Sequence, residues 1–209
     1  MEWCQVRTNP ERRRALIDAA IEVLAAQGAR GLTFRAVDKE AGVPAGTASN
    51  YFANRDDLLT QAGARFYERL QPSPEVMAKV TEGPKTRANI TELMTDVVGR
   101  IEAFSTGYLA LLELRLEATR RPALREVLTE RVRADLEFNV RNHLDAGMPG
   151  DEQTVRLLYL ALNWLILDRL TLPGLFTEEQ GAALIEDAVH RLVGPESKDE
   201  PHHSRSNGL

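Results

Sequence analysis

Residues 33–59 read TFRAVDKEAGVPAGTASNYFANRDDLL, and this stretch decides the fold. Thr33 is a good N-cap for a helix over 34–41, Gly42 supplies a turn, and Pro44 opens a second, short helix running to about residue 52. Helix, turn and second helix make a helix-turn-helix, the unit that seats its second helix in a DNA major groove. Val37, Ala41, Val43, Ala48 and Phe52 have the spacing of internal pins that hold the two helices at a fixed angle. Ala45, Gly46, Thr47, Ser49, Asn50 and Tyr51 are left facing outward. Small residues let a helix approach base edges, Thr and Asn hydrogen-bond bases, and hydroxyls reach phosphates. Arg55 starts the next helix, where its side chain and the helix N-terminus can both meet phosphate. A helix-turn-helix can also be a mere packing unit, but a small, polar outward face is an odd surface without a partner.

Upstream, Asn9-Pro10 offers a cap and a proline at the first helical position. Leu16, Ala19, Ala20, Val23 and Leu24 share one face of a helix over 12–27, which Gly28 stops. Downstream, Asn54 caps a helix to about residue 70, with Asp57 in a capping-box-like position. Gln71-Pro72-Ser73-Pro74 and Gly83-Pro84 break the pattern, leaving at most a short helix or an irregular link between them. Helical patterns resume over 85–104, 106–120 and 122–146, with Pro122 forcing a break between the last two. Asp151 caps a helix to about 172, and Thr177-Glu178-Glu179-Gln180 is a full capping box for a last helix that stops at Gly194-Pro195. No segment alternates like a strand. The expected fold is all-α with about nine helices. Residues 1–8 form a flexible arm, 9–54 a helix-turn-helix domain, 55–194 a helical effector-binding and dimerisation domain, and 195–209 a disordered tail.

Composition narrows the function. Hydrophobic residues make up 43% of the 209 residues, which excludes a disordered chain. Cys4 is the only cysteine, so no internal disulfide framework exists, and a reduced compartment is expected. The start, MEWCQVRTNPERRR, has no apolar run and is no secretory signal. The most apolar stretch, 157–167, is interrupted by Asn163 and closed by Asp168 and Arg169, too short to span a bilayer. A soluble, cytoplasmic protein without membrane partners follows as the expectation. Net charge is −5, unevenly spread: residues 1–70 carry 10 Lys and Arg against 9 Asp and Glu, while 71–209 carry 16 against 22. That favours a DNA-facing end on an acidic body. Arg12, Arg13 and Arg14 either touch phosphates beside the main site or are a solvated helix start.

On these residues the chain resembles the tetracycline-repressor (TetR) family of regulators. The resemblance rests on Ala25, Ala26, Gln27 and Gly28 ending the first long helix, and on the pattern GxxxxTFRAVxxxAGVxxGTxxNYFxNRxxLL that follows, and covers about residues 10–70. It implies that Thr33 and Arg35 begin a phosphate-contacting helix, that Gly46, Thr47, Asn50 and Tyr51 lie on the recognition helix, and that Arg55 takes a basic phosphate-contacting place. Ser49 and Asn50 stand where many members have two aromatics, and Ala53 where many have lysine. The resemblance also implies repression of a palindromic operator, relieved by a small effector.

The segment VRLLYLALNWLILDRLTL is apolar nearly all round, so its helix must be covered on more than one side. A second copy of the last two helices would cover it in a two-fold four-helix bundle, setting two recognition helices about 34 Å apart on successive major grooves. An effector pocket is expected between the middle helices, lined by Phe66, Phe104, Tyr108, Leu112, Arg115, His143, Tyr159, Asn163 and Trp164. Asn163 stands out among them, since a buried amide needs partners, across the dimer or on a ligand. No HExxH, GxSxG, Gly-rich phosphate loop or paired Cys/His spacing is present, so neither catalysis, cofactor nor metal is expected, and His202-His203 would bind metal only adventitiously. The rivals are a ligand-independent architectural DNA binder, which an unresponsive operator affinity would reveal, and a helical enzyme, which a bound cofactor would reveal.

Overall fold

The computed structural model describes residues 9–194; the arm, the tail, Cys4 and His202-His203 lie outside that range. Ten helices follow in order: α1 Pro10–Gly31, α2 Phe34–Glu40, α3 Thr47–Tyr51, α4 Arg55–Leu70, α5 Pro74–Glu82, α6 Arg87–Ala103, α7 Ser105–Ala118, α8 Pro122–Asp145, α9 Glu152–Thr171 and α10 Glu178–Leu192. No strand occurs among the described residues. The caps are those the sequence supplies. Asn9 accepts from the Arg12 amide at 2.9 Å, Thr33 from Ala36 at 3.1 Å, Asn54 from Asp57 at 2.9 Å and Asp151 from Thr154 at 2.8 Å. Thr177 and Gln180 complete the capping box of α10.

The expected nine helices become ten because 74–82 is a true helix. Ser73 caps it and Pro74 occupies its first turn, where the missing N–H costs nothing. Read as a breaker, that proline marks a start. Gly28 does interrupt α1, at φ 66° and ψ 179°, but one further helical turn follows to Gly31.

One continuous core runs from Leu16 to Val193. Within it α1 lies mainly against α7, α4 bridges from α1 to α8, and α6, α9 and α10 pack together. The four-helix head and the helical body thus share α4, which packs against both. In α9, Val155, Leu158, Leu165 and Ile166 are buried, whereas Leu160 and Trp164 are 64% and 67% exposed. On the following loop and on α10, which packs against α9, Leu172, Leu175, Phe176 and Leu184 are exposed as well. Among the described residues no helix is long and apolar enough to cross a membrane.

Candidate nucleic-acid interface and ligand cavity

A five-residue helix cannot stand alone, because nucleation costs more than one turn returns. Packing and capping hold α3. Ala48 and Phe52 are buried against Val37, as the expected pins, with Ala41 and Val43 half-buried beside them. The cap comes from α2. Asp38, 2% exposed, accepts from the Gly46 amide through Oδ2 and from the Ala48 amide through Oδ1, each at 2.7 Å. Gly46 takes φ 90°, a left-handed conformation in which any other residue would be strained. The Thr47 hydroxyl donates to the Pro44 carbonyl at 2.6 Å and that of Ser49 to Gly46 at 2.8 Å, each retaining acceptor capacity.

This leaves Thr33, Arg35, Ala45, Gly46, Ser49 and Asn50 exposed, with Thr47 half-buried among them. Two expectations are corrected. Tyr51 is 6% exposed and belongs to the core rather than the outward face. Arg55 turns inward: Nε donates to the Leu32 carbonyl at 3.1 Å and Nη2 to that of Ala29. The end of α1 leaves carbonyls without helical donors, and Arg55 supplies them. Of the arginine cluster, Arg13 binds the Gln61 side chain at 2.6 Å and the Tyr51 carbonyl at 2.5 Å and lies over the Phe52 ring, while Arg12 and Arg14 stay exposed. Asp38 escaped the sequence reading because its partners lie eight and ten residues away across the turn.

Polar contacts tie the head to the body, among them one from Thr106 of α7 to Glu22 of α1 at 3.2 Å. The Gly28 kink removes the helical acceptor of the Ala29 amide, and Glu113 of α7 replaces it at 2.8 Å. Arg121, before α8, binds Glu117 at 2.8 Å and also Asp56 in the first turn of α4. Its neighbours Arg121 and Arg120 hold the Glu117 carboxyl below the usual carboxylate range.

Between α4–α9 lies a cavity of about 250 Å³. Phe66, Tyr108, Arg115, His143, Tyr159 and Asn163 line it as expected, but Phe104, Leu112 and Trp164 do not. Phe104 stacks behind Phe66 at 5.9 Å with the Arg69 guanidinium 3.7 Å over its ring, and Leu112 packs against the core. Trp164 follows Asn163 by one residue, about 100° round the helix, and so faces outward. Asn163 is satisfied within the chain: its amide donates to the Tyr159 carbonyl at 2.8 Å, and Tyr108 donates to its backbone carbonyl at 3.2 Å. His143 faces the Pro149 carbonyl at 3.0 Å, and burial lowers its pKa.

The sequence reading missed two charged liners. Asp135 of α8 accepts from the Tyr159 hydroxyl at 3.0 Å, and burial pushes its carboxyl up. Burial, and then the Asp135 charge, push the Tyr67 and Tyr159 phenols far above their usual range. Arg100 of α6 has a buried Nε with no hydrogen-bond partner. No group of three or more His, Cys, Asp or Glu among the described residues is arranged to hold a metal ion.

Known proteins share this arrangement. The HTH-type transcriptional regulator BetI of Rhizobium meliloti (strain 1021) is 28% identical over 149 residues, 71% of each chain. A TetR-family member from Streptomyces coelicolor A3 superimposes with a TM-score of 0.66 at 30% identity, over 88% of this chain and 99% of that one. The multidrug binding protein EbrR, solved with imidazole, does so with a TM-score of 0.64 at 28% identity, over 92% and 95%. Residues 16–62 match the description "Bacterial regulatory proteins, tetR family", and residues 85–195 match "Tetracyclin repressor-like, C-terminal domain". With its head and more than half its length so matched, the chain belongs to the tetracycline-repressor family of transcriptional regulators and is not an enzyme.

Proposed function

We propose that the protein binds a palindromic operator as a dimer and is released from it by a small effector held in the cavity between α4 and α9. The observation that carries the DNA reading is the cap on α3: a buried carboxylate fixes a short helix whose small, polar face is otherwise unoccupied. Ala45, Gly46, Thr47, Ser49 and Asn50 are the base- and phosphate-facing set, flanked by Thr33 and Arg35. Residues 9–54 act as the DNA-binding unit and 55–194 as the effector and dimer unit, with α4 common to both packings. Arg55 and Tyr51 serve this surface by positioning it, the first through the end of α1 and the second from the core.

The dimer interface falls on α9 and α10, where Leu160, Trp164, Leu172 and Leu184 form an exposed apolar surface. Large apolar side chains exposed on two helices packed side by side are the kind of surface an interface covers. The effector reading is supported by the cavity itself, apolar with a few polar groups, and by its place in a body like that of the multidrug binding protein EbrR.

Fluorescence anisotropy on fragments of the DNA flanking the gene tests the reading. A palindromic fragment should bind far more tightly than random DNA, with affinity falling steeply as salt rises. Asn50→Ala should cost about 1–3 kcal/mol of that preference if Asn50 reads a base. Equal binding to palindromic and random fragments would sink the proposal.

A further inference from the structure

We propose that the cavity takes an organic cation, an apolar molecule with a fixed or protonated positive charge that Asp135 neutralises. The proposal rests on the reading of this cavity as the effector site.

Asp135 is a carboxylate placed where a carboxylate is costly. It lines a mainly apolar cavity, and its side chain receives one hydrogen bond, from the Tyr159 hydroxyl, through Oδ2. No arginine, lysine or histidine among the described residues forms an ion pair with it. Tyr67 also lies within the field of Asp135. Asp135 is half-buried, and a charge drawn partly out of water is ordinarily paired, because its desolvation is otherwise uncompensated. Here the pair is half built, and a ligand cation completes it.

The walls suit the same ligand. Phe66, Tyr67, Tyr108, Phe138 and Tyr159 all line the cavity. Their ring faces attract a cation that has shed its water. Phe138 lies one turn beyond Asp135 on α8 and is 40% exposed, so an apolar ring borders the cavity close to the carboxylate. The two arginines of the wall do not compete for this role. Arg100 already sits in the field of Asp96, and its buried Nε, without a hydrogen-bond partner, is open to an acceptor oxygen of a ligand. Arg115 is exposed, and its charge acts on the tyrosines.

Calorimetric titration of the full chain with tetraphenylphosphonium and with tetraphenylborate, ions of one shape and opposite charge, separates the outcomes. The cation should bind at least tenfold more tightly than the anion. Asp135→Asn, which keeps the side-chain shape, should cut cation affinity at least tenfold and leave the anion unaffected or better bound. Equal affinities, or a preference for the borate, would overturn the cation proposal while leaving the cavity as a ligand site. An unchanged cation affinity in a folded Asp135→Asn protein would do the same. If neither ion binds, the effector reading fails and the proposal goes with it. The wild-type comparison needs no variant, so it decides even if the substitution disturbs folding.

Discussion

At the residue scale, two carboxylates stand in opposite settings, Asp38 buried in the head and Asp135 half-buried against the cavity. Asp38 has both oxygens occupied by backbone amides of the recognition turn. Removing it strands two donors, so Asp38→Ala should cost about 2–3 kcal/mol in urea unfolding and abolish operator binding at concentrations where the protein is still folded. Operator affinity that survived the substitution would show that α3 keeps its geometry without the cap. Asp135 has the reverse energetics. Folding raises its pKa, so the fold favours the protonated form: that stability is fully present below the unfolded pKa and is lost as pH rises through the folded one. Asparagine cannot ionise and keeps it. Asp135→Asn should therefore unfold at a higher temperature than wild type at pH 7, with the gap narrowing as pH falls toward the ordinary carboxylate value of 3.8. A lower melting temperature at pH 7 would contradict this.

At the scale of elements, the end of α1 is completed by two other helices. Gly28 takes φ 66°, a left-handed conformation in which any other residue would be strained, and an added Cβ would lie 3.2 Å from the Glu113 carboxylate, which would have to give by a few tenths of an ångström. The Ala29 amide then bonds to α7 and the Ala29 carbonyl to Arg55 of α4. α7 also contributes Tyr108 and Leu111 to the cavity, so one helix touches both the cavity and the head. Glu113→Ala should cost about 1 kcal/mol of stability and speed hydrogen exchange at Ala29, while cavity binding of tetraphenylphosphonium stays unchanged. An Ala29 amide as protected as before would mean that this bond does not hold the junction. The caps of α1, α2, α4, α9 and α10 follow from single residues and could be read one by one. For α5 the pattern leaves a short helix and an irregular link both open, because a Ser-Pro pair looks alike at a break and at a start.

For the whole molecule, the dimer interface proposed above lies on α9 and α10. Trp164 and Leu160 are among its most exposed large apolar side chains, and burying each would contribute about 1.5–3 kcal/mol. The double substitution Leu160→Glu, Trp164→Glu should shift sedimentation from dimer to monomer and lower operator affinity, since one recognition helix then binds without its mate. A dimer that persists would move the interface elsewhere.

Sequence alone determined what depends on neighbours along the chain. Capping residues, proline and glycine stops, helical periodicity and the local pattern of residues 33–59 specify an all-helical protein with a helix-turn-helix, because those signals act within a turn or two. Tertiary structure decided what depends on distant segments meeting. It turned Arg55 and Tyr51 inward, assigned Asp38 to α3, pointed Trp164 away from the cavity and brought Asp135 into it. Each of those outcomes rests on a partner helix whose position no local signal encodes. The helix-turn-helix that residues 33–59 announce is therefore held by contacts that those residues do not announce.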